Sequence, residues 1–527
     1  MKQNEFTEVA EAMDDGGASD DTGTRQDLPL AIANIAISPE SPVPIYEQIC
    51  SIVRSAIVAG DLPANTLLPT SRELAQMLGI GRTTAVNAYS RLIAEGYLVS
   101  RLRRGTRVAP QQRAGVPAAA GEGAQMRPAA ASEQPRSPDI EISFTARRSL
   151  DCPVAPSATV QPFAVDEPDP TLCPRAELGR LLAEGFRRPP IPESGLDQGR
   201  ELRIFQSAIA AYIRQARGVV CDPSQIVPTL GFESALDLTA RLLIDPGHLV
   251  HVEDPGAALV KATFEGAGAR IRAISGDRDG ADFAHASAPP PRLIVVSPAL
   301  SFPLGAQMSE ARRRAAMDVV QGTGAILFEN DAYGQLLYRG GRLPALQSYE
   351  PGRVVYYGSL SNTLGPGIRV GYLVVPERFV EPAFELSRRS GSRPDSFVLS
   401  ALATFIGDGQ YALYTRKIRA IYAQRLKLLV ESCRTHIPEA ALVEPCGGFH
   451  LTLLTSASRE HGICTLAAAQ GLSVAPLSGF HAGKPANHGL VLGFGAVPDR
   501  LIEQLVVRLA AIVQRADEAS VQSLKAV

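Results

Sequence analysis

The sequence predicts an α/β protein in two parts, an N-terminal winged helix-turn-helix and a large domain on a mainly parallel central sheet, closed by a smaller C-terminal α+β subdomain. Three observations carry this. Apolar residues recur at helical spacing between Pro44 and Val108. An alanine- and proline-rich stretch follows. Beyond it, short β-rich runs alternate with helical stretches to the end of the chain.

Each segment follows from its composition. Residues 1–40 hold nine acidic residues against Lys2 and Arg25, a net charge of −7 without periodicity, and are expected to form a flexible acidic arm. In 41–108, Ile45, Ile49, Ile52, Val53 and Ile57 share one helix face; Leu74, Met77 and Leu78 mark a second helix, and Val86, Tyr89, Leu92 and Ile93 a third. Tyr97–Val108 reads as a two-stranded wing turning at Gly105. Residues 109–140, with nine alanines, five prolines and no aromatic residue, cannot bury enough surface to order themselves and read as a linker. The large domain is placed at 141–515, where Leu293–Val296, Ala325–Phe328 and Val354–Tyr357 are strand candidates and 516–527 is a tail.

Composition narrows the function classes. With 527 residues and a hydrophobic share of 45%, the chain exceeds a single ordinary core. A net charge of −2 favours neither nucleic acid nor membrane globally, so charge has to be read by segment. No apolar run approaches the roughly 18 residues of a membrane span, and the acidic N-terminus is unlike a signal peptide, so a cytoplasmic protein with no membrane partner is expected. The seven cysteines are scattered, without metal-ligand spacing, and no metal site is expected.

The N-terminal module concentrates positive charge. Between Ser41 and Val108 eight arginines and no lysine face Glu47, Asp61, Glu73 and Glu95. Guanidinium groups suit bidentate contacts to phosphate and guanine. Leu68-Pro69-Thr70-Ser71-Arg72-Glu73-Leu74-Ala75 and Gly81-Arg82-Thr83-Thr84-Ala85-Val86-Asn87-Ala88-Tyr89 resemble the GntR family across this whole module. Ser71, Thr83 and Thr84 at helix starts are candidates for phosphate contacts. Arg82, Thr84 and Asn87 are candidates for base edges, with Arg72 beside them and Arg103, Arg104 and Thr106 in the wing. A double-stranded operator is the expected partner.

The large domain resembles the fold-type I aminotransferase-like (PLP-transferase) domain of MocR-type regulators, in ordered pieces over most of 145–515. These include Gly218–Val227, Gly231-Phe232-Glu233-Ser234, Glu253-Asp254-Pro255-Gly256, Phe302-Pro303-Leu304-Gly305, Glu329-Asn330-Asp331-Ala332-Tyr333, and Tyr356–Gly371 with its Ser-Leu-Ser-Asn-Thr-Leu core. In that family a lysine within the last motif binds pyridoxal phosphate (PLP), and the resemblance places Asn362 there. An amide forms no Schiff base. Further positions depart in the same way: Asn330 where a carboxylate meets the pyridine nitrogen, Ala257 for a stacking aromatic residue, Leu196 for a partner-subunit tyrosine, and Leu300-Ser301 for His-Gln. Arg369, Tyr333, Ser359 and Ser361 are kept. The resemblance, so read, implies that PLP binding is lost and that the chain is not an enzyme.

The presumed pocket gathers Leu196, Ala257, Leu300, Phe302, Asn330, Tyr333, Ser359, Ser361, Asn362 and Arg369. Its apolar replacements around an interior Arg369 suit an organic anion with an apolar body; the alternative is that Arg369 pairs with an internal carboxylate such as Asp331 and Tyr333 is a core tyrosine. Three functions stay open: a ligand-responsive regulator, a ligand-free dimerisation scaffold, and a PLP-dependent regulator or aminotransferase with a non-standard site. The resemblance also implies a domain-swapped homodimer, which a tether of about 32 residues spanning on the order of 30 Å would permit.

Overall fold

The computed structural model describes residues 37–38, 41, 43–101, 105–110, 142–150, 161–187, 199–284, 286, 289–341, 343–365 and 367–525. Most of the acidic arm, most of the linker, Arg103, Arg104 and Leu196 lie outside the described residues. Two compact units divide the chain, Met1–Gln134 and Pro135–Val527.

In the first unit, α1 (Ile45–Ala59), α2 (Ser71–Leu78) and α3 (Arg82–Ala94) precede an antiparallel hairpin of β1 (Leu98–Arg101) and β2 (Gly105–Val108). Ile49, Val53, Leu74, Ala85, Tyr89, Leu92, Leu98 and Val108 form one buried cluster, so the faces read from spacing do converge. Truncating Ile49, Leu74, Leu92 or Leu98 to alanine costs about 2–5 kcal/mol. A capping box starts α2: the Thr70 hydroxyl accepts from the Glu73 amide (3.3 Å) while Glu73 Oε2 accepts from the Thr70 amide (2.7 Å). Gly105 opens β2 with φ +72°, a left-handed value that glycine adopts without strain.

The second unit begins with α4 (Phe144–Leu150), α5 (Arg175–Arg187) and α6 (Arg200–Arg217), and continues through β3 (Ile226–Thr229), α7 (Phe232–Leu243), β4 (Leu249–Asp254), α8 (Ala258–Gly266), β5 (Arg270–Asp277) and β6 (Gly280–Ala281). Next come β7 (Leu293–Val296), α9 (Glu310–Thr323), β8 (Ile326–Asn330), β9 (Val354–Ser359), the single turn α10 (Ser361–Leu364) and β10 (Gly371–Val374). These strands make one eight-stranded sheet, ordered β3-β10-β9-β8-β7-β4-β5-β6. The five from β9 to β5 run parallel; β3, β10 and β6 pair antiparallel at the edges. Fully buried β7 and β9 explain the uninterrupted apolar runs, because helices cover both faces of such a sheet.

The chain goes from β4 outward to β5 and then returns to lay β7 on the other side of β4. The strand order therefore reverses between β4 and β7, and a crevice opens there at the carboxyl ends of the strands.

Helices α11 (Val380–Ser390), α12 (Ser396–Gly407) and α13 (Gln410–His436) lead to a second, antiparallel sheet of β11 (Ala441–Val443), β12 (His450–Leu454), β13 (Ala475–Pro476) and β14 (Gly489–Gly493), ordered β11-β12-β14-β13. It carries α14 (Ala457–Ala469) and α15 (Asp499–Lys525). The latter runs on through the segment set apart as a tail. Among the described residues no helix is long and apolar enough to cross a membrane, and no group of His, Cys, Asp and Glu could hold a metal ion.

Candidate functional sites

In the N-terminal unit, internal pairing settles which charges stay at the surface. Glu47 and Glu95 are taken up by Arg91 (2.9 and 3.1 Å), and Glu95 also by Arg54 (2.7 Å), while Glu73 serves the capping box. Arg72, Arg82, Thr83 and Asn87 are exposed, and Ser71 and Thr84 half-buried, along the starts of α2 and α3. Gly81 caps α3 without a side chain; its carbonyl accepts the Thr84 amide (3.0 Å), and no side chain of the cap covers the amides of Arg82 and Thr83. That is the surface an anion or a base edge requires. Thr106 departs from the expectation: it is buried, because alternation along β2 turns it inward and leaves Arg107 exposed. Among the described residues of the hairpin, Arg101 and Arg107 are also exposed, Arg107 donating Nη1 to Asn65 O (3.0 Å).

In the large unit a cavity of ≈ 230 Å³ lies at the β4/β7 crevice. Its floor is Val252 and Glu253 of β4, Val295 and Ser297 at the end of β7, and Asn330 at the end of β8; its walls are Ala257 and Lys261 beside α8, Phe302, and the loop 479–482. Ala257, Phe302 and Asn330 were expected in a pocket and are brought together here. Asn330 donates Nδ2 to Ser297 Oγ (3.3 Å) and accepts the Ala332 amide on Oδ1 (3.2 Å). Glu253 was not among the residues expected there. It is 8% exposed; Oε2 accepts the Ser297 amide (3.0 Å), and Oε1 has no hydrogen-bond partner among the described residues. Burial pushes its carboxyl up to about 8.

The loop is stapled over the cavity. The Gly256 amide donates to Phe480 O (2.9 Å), Lys261 Nζ to Ala482 O (2.7 Å), and the Ala482 amide to Asp254 Oδ1 (3.1 Å). His481 Nδ1 meets the same Asp254 oxygen at 2.8 Å, while its buried Nε2 has no partner among the described residues. Phe302 meets Phe480 edge-on, with centroids 5.1 Å apart.

The remaining expected pocket residues lie elsewhere. Arg369 is at the surface, its side chain 62% exposed and paired with Glu233 (3.0 Å). Neither the interior guanidinium nor its pairing with Asp331 holds. Asp331 is held deep in the core by Arg217 (2.7 and 3.0 Å) and the Tyr356 hydroxyl (2.7 Å). The expectation of an organic anion rested on Arg369 and loses its support with it. Tyr333 is buried, with its hydroxyl given to Asp166. Leu300 packs in the core. Ser361 Oγ donates to Ile368 O (2.8 Å), and the Ser359 hydroxyl both donates to Asn362 Oδ1 and accepts the Asn362 amide, each at 3.2 Å. The hydroxyls at this turn are therefore engaged locally.

The start of α7 suits the phosphate end of a PLP-like group. Gly231, at φ +84°, delivers the chain into α7 without a side-chain cap, and Ser234 in the first turn has a buried Oγ without a partner among the described residues. A helix start with open amides and an unused hydroxyl fits a phosphate.

Comparison with known proteins agrees with this architecture. The family described as "Aminotransferase class I and II" matches residues 200–509, and "Bacterial regulatory proteins, gntR family" matches residues 45–108. The chain is 31% identical over 484 residues to the probable rhizopine catabolism regulatory protein MocR of Rhizobium meliloti, covering 89% of this chain and 94% of that one. It is 27% identical over 486 residues to the HTH-type pyridoxine biosynthesis transcriptional regulator PdxR of Corynebacterium glutamicum, covering 92% and 99%. Among solved structures, α-aminoadipate aminotransferase from Thermus thermophilus, complexed with N-(5'-phosphopyridoxyl)-L-leucine, superposes with TM-score 0.63 at 21% identity, covering 72% and 96%. The expectation that PLP binding is lost does not stand against these matches. The fold is one that carries a phosphopyridoxyl ligand in that aminotransferase, and the unused Ser234 hydroxyl and open helix start fit its phosphate.

Proposed function

The chain belongs to the aminotransferase class I and II family and, with its gntR-family module, to the MocR-type regulators; from that premise we propose that it regulates transcription as a homodimer whose large domain senses a small molecule. The carrying observation is the pairing of an exposed arginine-bearing helix-turn-helix surface with a cavity at the strand-order reversal. Two copies would read two half-sites of one operator, and joining the two binding events raises affinity even though neither interface changes.

PLP, when bound, supplies an electron-withdrawing pyridine ring and an aldehyde. The α7 start and Ser234 would hold its phosphate, and Asn330 can offer its amide to the ring nitrogen. Asn362 offers no amine to the aldehyde, so these contacts would retain the group without a covalent bond. This separates a sensing role from transamination, which requires that amine.

The test has two arms. Fluorescence anisotropy with promoter fragments from the chain's own genomic neighbourhood should show nanomolar to micromolar binding at physiological salt. Equilibrium dialysis against pyridoxal 5'-phosphate should show saturable uptake that borohydride does not convert into a stable adduct. A stable adduct would refute the non-covalent reading; no specific DNA binding would refute the regulator.

A further inference from the structure

We propose that the acidic segment 1–36 docks on the arginine-bearing face of the winged helix it precedes and competes there with operator DNA. The inference deepens the regulator reading and rests on it.

The chain enters the N-terminal unit tied to α1. Ile37 packs against the buried cluster of the unit, and Ser38 exchanges hydrogen bonds with Gln48, its amide donating to Oε1 (3.0 Å) and its carbonyl accepting from Nε2 (3.1 Å). The residues before Ile37 therefore start from the unit itself. A coil of that length spans on the order of 30–36 Å, and a compact unit of this size has a radius of gyration of about 11 Å. Every face of the unit is within reach.

Charge selects the face. Segment 1–36 carries eight acidic residues against Lys2 and Arg25. Within the unit the carboxylates that could answer the arginines are engaged elsewhere: Glu47 and Glu95 hold Arg91 and Arg54, and Glu73 Oε2 accepts both the amide (2.7 Å) and the hydroxyl (3.0 Å) of Thr70. Arg72 and Arg101 are exposed and have no carboxylate partner among the described residues; Arg107, also exposed, donates to Asn65 O. The segment holds the carboxylates that this face lacks.

Shape adds to charge. An open groove of ≈ 940 Å³ runs between the start of α2 and the hairpin, with Leu67, Val99, Arg101 and Arg107 on its walls. Leu67 and Val99 are 40% and 39% exposed, so the groove pairs apolar surface with positive charge. The segment offers the matching set, with Phe6, Val9 and Met13 set among Glu5, Glu8 and Glu11.

Competition follows from the shared surface. Tethering supplies an effective concentration in the millimolar range, so a weak contact is largely occupied. Duplex DNA carries one charge for about every 1.7 Å of its axis and displaces the sparser segment. The displacement lowers specific and non-specific affinity by the same factor. It also makes the salt dependence shallower, because ion pairs to the segment break as those to the phosphates form.

Fluorescence anisotropy with a promoter fragment and with a random duplex compares the full chain with residues 37–527. Removal should tighten both about tenfold at 50 mM salt, the factor expected when a contact of about 0.1 mM meets an effective concentration of about 1 mM. At 300 mM salt, where the screening length is roughly 6 Å, the gain should fall below about twofold. The full chain carrying Asp14→Asn, Asp15→Asn, Asp20→Asn and Asp21→Asn should show part of the gain, which separates charge from length. A labelled peptide of residues 1–36 should bind the shortened chain saturably at low salt and be released by random duplex. Unchanged or weaker DNA affinity in the shortened chain, or no binding of the peptide, overturns the docking. Absence of DNA binding in both chains counts against the regulator, and peptide binding then decides the docking by itself.

Discussion

At the residue scale, Asn362 and Asp331 show how one position is decided by different forces. Asn362 is half-buried, and among the described residues its side chain bonds the Ser359 hydroxyl alone, so the turn tolerates other side chains there. Asn362→Lys should therefore fold and, given pyridoxal phosphate, yield a borohydride-stable adduct by mass spectrometry that the wild type does not. Asp331 is different, because it neutralises Arg217 in a dry core. Asp331→Asn leaves that guanidinium without its counter-charge and should lower stability by about 3–5 kcal/mol, read as a fall in Tm of the large unit. Motif order marked both positions. That Asp331 faces the core while Asn330 beside it faces the cavity depended on strand alternation at the end of β8 and on α6, which approaches from far earlier in the chain.

At the element scale, the carboxyl of Glu253 near the end of β4 makes a pH prediction. Its folded-state value (about 8) lies above the ordinary carboxylate range because burial disfavours the charged form. Between the ordinary range and about 8 the folded chain thus binds more protons than the unfolded chain, so stability falls as pH rises through that window. Glu253→Gln should flatten part of this slope in Tm measured from pH 5 to 8.5; an unchanged slope would count against the assignment. The α2 capping box supports a second expectation: Thr70→Ala should cost about 1 kcal/mol in the N-terminal unit, followed by thermal unfolding. The Thr-x-x-Glu signature was readable in the letters, whereas the inward turn of Thr106 required the hairpin register.

At the scale of the whole molecule, DNA binding should depend on few residues and strongly on salt. Arg72→Ala and Arg82→Ala should each weaken operator binding and reduce the slope of log affinity against log salt by about one for every phosphate that the variant no longer neutralises, while size-exclusion chromatography shows the oligomer intact. Arg54→Ala, which removes a surface pair with Glu95 and a guanidinium lying over the Tyr97 ring, should leave operator affinity close to wild type.

The sequence alone determined the two-part architecture, the winged helix-turn-helix, the parallel-sheet class and the family, because local periodicity, turn residues and motif order record which faces must be buried and which backbone turns must form. It also marked Ala257, Phe302 and Asn330. Only the tertiary structure decided that Arg369 sits at the surface on Glu233, and that Lys261 and His481 meet across one cavity. Their encounter depends on the reversal between β4 and β7 and on a loop from the C-terminal subdomain more than 200 residues away in sequence. Burial, hydrogen-bond satisfaction and charge at such a meeting point belong to the packed chain and to no local stretch of it.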